Sequence, residues 1–202
     1  MRVFSNDIGK KGVILMLGLK RGTVRLCPHE EGWEREAEAT VRRLRGLLGD
    51  LAEDIQHVGS TSVPGIMAKP IIDIAVAVPS FQAVLERREA LEAAGFYYRT
   101  DKIEDQLLFA RGSYYTGEGE EQTHFVHVVL SESEGWRDYL NFRDYLRAFP
   151  EEARAYERLK LRLAAEHPED MGREKYLAGK RDFIRGMIEK ANAWAGGRGR
   201  MK

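Results

Sequence analysis

The residues best suited to chemistry lie in the stretch HVGSTSVPGIMAKPIID, from His57 to Asp73. Gly59-Ser60 follows a short apolar run, 55–58, that reads as a strand. A strand ending in such a turn leaves backbone N–H groups free. Glycine lets a ligand approach the backbone closely, and a serine hydroxyl can bond a phosphate oxygen. Gly-Ser is also common turn chemistry. Asp73 sharpens the reading, because it lies inside Ile-Ile-Asp-Ile-Ala-Val-Ala-Val (71–78), a run apolar on both faces. A lone carboxylate there is costly without a partner. Ser60 and Asp73 are thirteen positions apart. A short connection between the two strands would place the turn and the carboxylate side by side, one on phosphate and one on a divalent cation. The plainer alternative is a buried Asp that accepts hydrogen bonds from backbone or from His57.

Three of the five histidines fall in or beside the strand-like segments: His57, His124 and His127. His124 and His127 are three apart, so a regular strand sends them to opposite faces. An imidazole–carboxylate cluster suits Zn²⁺, Mn²⁺ or Fe²⁺ better than Mg²⁺. A strand histidine that only hydrogen-bonds within the fold is the ordinary case. Among the cations, Lys69 precedes the Asp73 strand and could neutralise phosphate as a point charge. Arg111 ends the run Leu107-Leu108-Phe109-Ala110 and could reach the same cleft. Arg143, beside Asp144, and Lys180, beside Arg181, read equally as solvated helix pairs.

These residues need elements to position them. Extended character is expected over 17–26, 55–58, 71–78, 96–99, 106–111 and 123–130, the last two forming a hairpin around a Gly-Glu-rich loop. Helical spacing is expected over 33–48, 81–94 (Ser80 as N-cap, Gly95 as stop), 136–149, 150–167 and 174–195. The aromatic and leucine periodicity of 139–163 reads as core packing. Strands fill the first two thirds and helices the last third, so the fold class is α+β or α/β-like, with a mixed sheet and a helical C-terminal portion. We expect one domain over 17–195, its helical part at 132–195, an N-terminal extension at 1–16 with Met16 as an alternative start, and a disordered tail at 196–202.

Composition narrows the function classes. Basic and acidic residues balance at 32 each, which argues against a general nucleic-acid or anionic-membrane binder. The single cysteine, Cys27, excludes an intramolecular disulfide and fits a cytoplasmic protein. No apolar stretch approaches the roughly 18 residues of a membrane span. The apolar run 13–19 after Lys10-Lys11 is too short for a signal peptide and lacks a cleavage site. No Walker A, Rossmann glycine or zinc-ribbon pattern is present.

A Gly-Ser turn followed by an Asp on the next strand resembles the nucleotidyltransferase superfamily. The run HVGSTSVPGIMAKPIIDI resembles the GrpB family in particular. LGLKRGTVRL and EGWEREAEATVRRLRGLLG resemble that family's first strand and helix; HFVHVVL, NFRDYLRAFPEEARAYERLK and EKYLAGKRDFI resemble its C-terminal blocks. GrpB-like domains are also similar to a segment fused to some bacterial dephospho-CoA kinases. The resemblance implies a nucleotidyltransferase-like mixed sheet flanked by helices. It implies a nucleotide held by Gly59, Ser60 and Thr61, with Lys69, Arg111, Arg143 and Lys180 balancing phosphate charge. Asp73 would bind Mg²⁺ or Mn²⁺, with His127 or His57 as second ligand or general base. The sequence departs from the superfamily at one point. Two acids at alternate strand positions usually hold two metal ions, and the position two after Asp73 is Ala75. That leaves three expectations: a metal-dependent nucleotidyl or phosphoryl transferase, a non-catalytic module for a nucleotide, a CoA-like ligand or a protein partner, and a hydrolase with His57, Asp73 and His127 on one metal.

Overall fold

The structure, a computed structural model, describes residues 15–100, 105–170 and 174–198. The chain enters through β1 (Leu19–Lys20) and α1 (Glu31–Leu48), then β2 (Asp54–Val58) and β3 (Ile72–Val78). The short helices α2 (Phe81–Leu85) and α3 (Arg88–Ala93) lead to β4 (Tyr97–Arg99) and β5 (Leu107–Arg111). After α4 (Ser113–Thr116), β6 (Glu121–Gln122) and β7 (His124–Leu130) come α5 (Glu134–Ala148), α6 (Pro150–Glu166) and α7 (Glu174–Arg198). The main sheet has the order β2-β3-β7-β5-β4. Only β3 and β7 run parallel; the other neighbours are antiparallel. β1 and β6 make a separate two-stranded ribbon.

The apolar run of β3 takes the central place that its two-sided hydrophobicity demands. Ile72, Ile74, Val76 and Val78 face α1 and pack with Trp33, Ala37, Leu44 and Leu48. Asp73, Ala75 and Ala77 alternate to the other face, which looks toward α5, α6 and α7. Those helices close on one another through Tyr145, Leu146, Ala153, Tyr156 and Met187.

Several boundaries differ from the sequence reading. The expected helix 81–94 is two short helices broken at Glu86-Arg87; Ser80 still caps the first, and Gly95 turns out of the second with φ +87°. The stretch 17–26 is strand only at Leu19–Lys20, because beyond it the chain makes isolated bridges to Glu169 and Ala68 instead of a ladder. The hairpin of β5 and β7 forms, with α4 and β6 inside its connection. α7 runs to Arg198, so 196–198 are helical rather than tail. The rest of that tail, and most of the expected extension at 1–16, lie outside the described residues.

Candidate functional site

β2 ends at Val58, opposite Asp73 in the register. The chain then turns at Gly59 with φ +71°, where glycine is the residue that fits without strain. It also must be glycine for space: a Cβ there would lie 2.5 Å from the Asp73 Oδ2. The Gly-Ser turn and the strand carboxylate are thus in direct contact, as their spacing suggested. Helix α5 clamps this turn from above. Arg143 donates to the His57 carbonyl oxygen (3.0 Å), and Arg147 Nε donates to that of Ser62 (2.8 Å).

His127 stands on β7 opposite Ala75, on the same face as Asp73. Its Nε2 lies 3.5 Å from Asp73 Oδ1. Its Nδ1 lies 3.2 Å from Gln106 Oε1, the oxygen to which the Tyr139 hydroxyl also donates (3.0 Å). With Gln106 so oriented, its carbonyl can only accept, so Nδ1 carries the proton. Nε2, the other ring nitrogen, faces the Asp73 carboxylate, and the two together can share a proton or a cation. Burial and the nearby Asp73 push the Tyr139 phenol up, so it remains a donor.

Asp73 and His127 open onto a cleft of about 790 Å³ between the sheet and helices α5, α6 and α7. The whole chain has net charge zero, yet the cleft is lined by Arg21, Lys69, Arg99, Lys160, Lys180 and Arg181 against three carboxylates, Asp73, Asp105 and Asp138. Lys69 and Lys180 both lie over the Tyr176 ring, 4.9 and 5.2 Å from its centroid. Lys160 is 2% exposed, donates to the Met67 carbonyl oxygen (2.6 Å) and lies 4.7 Å over Tyr156. Among the described residues no carboxylate lies within ion-pair distance of Lys160. Burial, with Lys180 adding to it, pulls its ammonium down to about 7.

Not every expected site residue is gathered here. Gly59, Ser60, Thr61, Lys69, Asp73, His127 and Lys180 line the cleft. His57, Arg111 and Arg143 do not. His57 pairs with Ile74 and so faces α1. There it hydrogen-bonds Thr61 Oγ1 (3.0 Å), and burial, chiefly, lowers it to about 4. It braces the turn from behind, and the His57–Asp73–His127 metal trio is not assembled. Arg111 pairs with His124 on that same rear face and lies 5.8 Å over Phe96. Arg143 is taken up by β2 backbone, Gln56 and Asp144. His124 is buried and bonded to Thr40 and Thr123, opposite in face to His127 as their odd spacing required.

Sequence reasoning missed Lys160, Tyr139 and Gln106. Lys160 was legible: Tyr156, Lys160 and Leu163 share one helical stripe, and a lysine on a buried stripe signals a task. Tyr139 was absorbed into core periodicity. Gln106 carries no sequence signal, since only the sheet register brings it to His127.

Among the described residues there is no group of three or more His, Cys, Asp or Glu side chains that could hold a metal by itself. No helix in them is long and apolar enough to cross a membrane.

Comparison with known proteins agrees with the fold. The glutamate-rich protein GrpB of Alkalihalophilus pseudofirmus is 37% identical over 84% of this chain and 96% of its own. A dephospho-CoA kinase of Mycolicibacterium paratuberculosis is 30% identical over 88% of this chain and 48% of its own length. The crystal structure of GrpB from Enterococcus faecalis superposes with TM-score 0.74 and 29% identity, over 84% of this chain and 99% of that one. The structure of a cytoplasmic RNA terminal U-transferase is a remote likeness, at 18% identity and TM-score 0.44, over 68% of this chain and 40% of its own. The family model described as GrpB protein matches residues 23–190, and the chain belongs to that family.

Proposed function

We propose that the protein binds a nucleotide with a divalent cation, Mg²⁺ or Mn²⁺, in this cleft and transfers a nucleotidyl or phosphoryl group to a small acceptor. The observation that carries the reading is the joining, in one cleft, of an Asp73–His127 pair and a lysine group around Tyr156 and Tyr176. Two protein ligands are too few for a closed metal site. They suit a cation that keeps waters and takes its remaining oxygens from phosphate, and of the two the imidazole favours Mn²⁺ over Mg²⁺. Among the described residues no carboxylate forms an ion pair with the buried Lys160; Glu157 only partly offsets its desolvation from farther off, and a phosphate oxygen would supply the missing partner. The chain's own residues divide the work. Gly59, Ser60 and Thr61 present the turn backbone, and Ser60 its hydroxyl, to phosphate. Lys69, Lys160 and Lys180 balance its charge. Asp73 and His127 hold the cation, which when bound supplies electrophilic assistance to the phosphorus centre. Tyr139 and Gln106 fix the His127 tautomer.

A second reading is a module that binds a nucleotide or CoA-like ligand without turnover. Ala75 favours it: the strand position beside Asp73 that would carry a second acid holds a methyl group opposite His127.

Thermal shift with ATP, GTP, CTP, UTP and CoA, each with Mg²⁺, Mn²⁺ or no metal, tests the binding. One nucleotide should raise the midpoint only with metal, and Asp73→Ala should abolish the effect. A ligand at 100 times its Kd stabilises by about 2.7 kcal/mol. No shift with any nucleotide would sink the proposal. Pyrophosphate or phosphate release then separates transfer from the binding-only reading.

A further inference from the structure

The register of the sheet places another cation group on the far side of the metal pair from the Gly-Ser turn. Ala75, His127, Leu108 and Arg99 form one continuous row across β3, β7, β5 and β4. Directly paired residues share a face, so Arg99 lies on the cleft face, two strand spacings or about 10 Å beyond His127. Gly59 follows β2, at the opposite edge of the same sheet. Arg99 is held on an aromatic platform. Its Nη1 donates to the Tyr115 hydroxyl (2.8 Å), and Gln122, 3% exposed, donates to the same oxygen (2.6 Å). Tyr115 stacks on Tyr97 with centroids 6.0 Å apart and meets Tyr114 edge-on at 5.1 Å. Arg21 lies over Tyr114, 4.6 Å from its centroid. Arg21, Arg99 and Gln122 all line the cleft.

The Tyr115 hydroxyl, by accepting from both Arg99 and Gln122, fixes where the Arg99 guanidinium stands at the cleft wall. Guanidinium forks are the chemistry that recognises an oxyanion. The position matters as much as the chemistry. Phosphoryl and nucleotidyl transfer set the attacking and leaving groups on opposite sides of the phosphorus. A nucleotide held at the turn with its reacting phosphate at Asp73 and His127 leaves the Arg99 side for the acceptor.

We infer that Arg99 and Arg21 form a second anion subsite, which binds the phosphate of a small phosphorylated acceptor. This rests on the nucleotide reading for the acceptor's role, though not for the anion binding itself. The cleft's bounded volume points to a small molecule rather than a polymer end.

Calorimetric titration of glycerol 3-phosphate, glycerate and glycerol tests the subsite, with and without Mg²⁺ and ATP. Glycerol 3-phosphate should bind the wild type and glycerol should not. Arg99→Met and Arg21→Met should each weaken glycerol 3-phosphate at least tenfold and leave Mg-ATP affinity within twofold. Arg99→Lys, which keeps charge and loses the fork, should fall between. Arg21→Met decides the matter if Arg99→Met fails to fold. Equal binding of glycerol and glycerol 3-phosphate, or unchanged binding in both variants, overturns the inference. Preference for glycerate overturns the phosphate assignment. If Mg-ATP does not bind the wild type, the nucleotide reading falls alone, and Arg99-dependent anion binding still stands.

Discussion

Replacing Lys160 with methionine removes the buried ammonium while nearly conserving volume. Its cost to the fold follows from proton linkage. Burial holds the folded-state pKa near 7, against an ordinary value of 10.5. Between those values the unfolded chain keeps the proton and the folded chain does not. Unfolding therefore takes up a proton, and stability rises with pH across this window. The full penalty is present below pH 7 and is relieved as pH climbs toward 10.5. At about 1.4 kcal/mol per pH unit the ceiling is about 5 kcal/mol. The hydrogen bond to Met67 and the Tyr156 face both favour the ammonium, which brings the expected figure down to about 2–4 kcal/mol. Urea unfolding from pH 6.5 to 10 reads it directly. Subtracting the Lys160→Met profile removes other groups that titrate in the same range. Wild type should gain stability relative to the variant as pH rises. Parallel profiles would refute the reasoning, since they would mean that Lys160 titrates alike in both states.

Two further outcomes test the frame around the site. Gly59→Ala should lower the unfolding midpoint, because a positive φ costs about 1–2 kcal/mol for an L-residue and the new methyl would meet Asp73; calorimetry showing a change below about 0.5 kcal/mol would contradict the close approach. Burial keeps His57 and His124 neutral in the fold, at about 4 and about 3, against an ordinary 6.5. The unfolded chain binds protons first as pH falls below about 6.5, so stability should drop toward pH 4 by up to about 1.4 kcal/mol per pH unit for each histidine. Chemical denaturation of wild type and His124→Gln from pH 7.5 to 4.5 should show the steeper loss in wild type, and identical slopes would count against it.

The local parts of the site can be read from residue order alone. Gly59 and Asp73 are close in the chain and joined by a short connection, so their contact was legible. The period of two along a strand was enough to send His124 and His127 to opposite faces. The apolar run of β3 announced a central strand, and the helical last third followed from 3.6-residue spacing. Blocks spread along the chain, in order, were enough to identify the family.

Relations between distant segments depend instead on how the strands pair and the helices pack. Period-two alternation says that His57 and Asp73 lie on definite faces of their own strands, but not which face of one strand matches which of the next. The pairing of His57 with Ile74 settled that and turned His57 away from Asp73. The same register put Arg111 behind the sheet and Arg99 in front of it. Lys160, Tyr139 and Gln106 come from α6, α5 and the approach to β5, far apart in the chain. No local rule joins them, because side-chain meetings across elements depend on how helices pack over the sheet. Local chemistry chose the turn and the carboxylate; the sheet register and the helical cover chose their company.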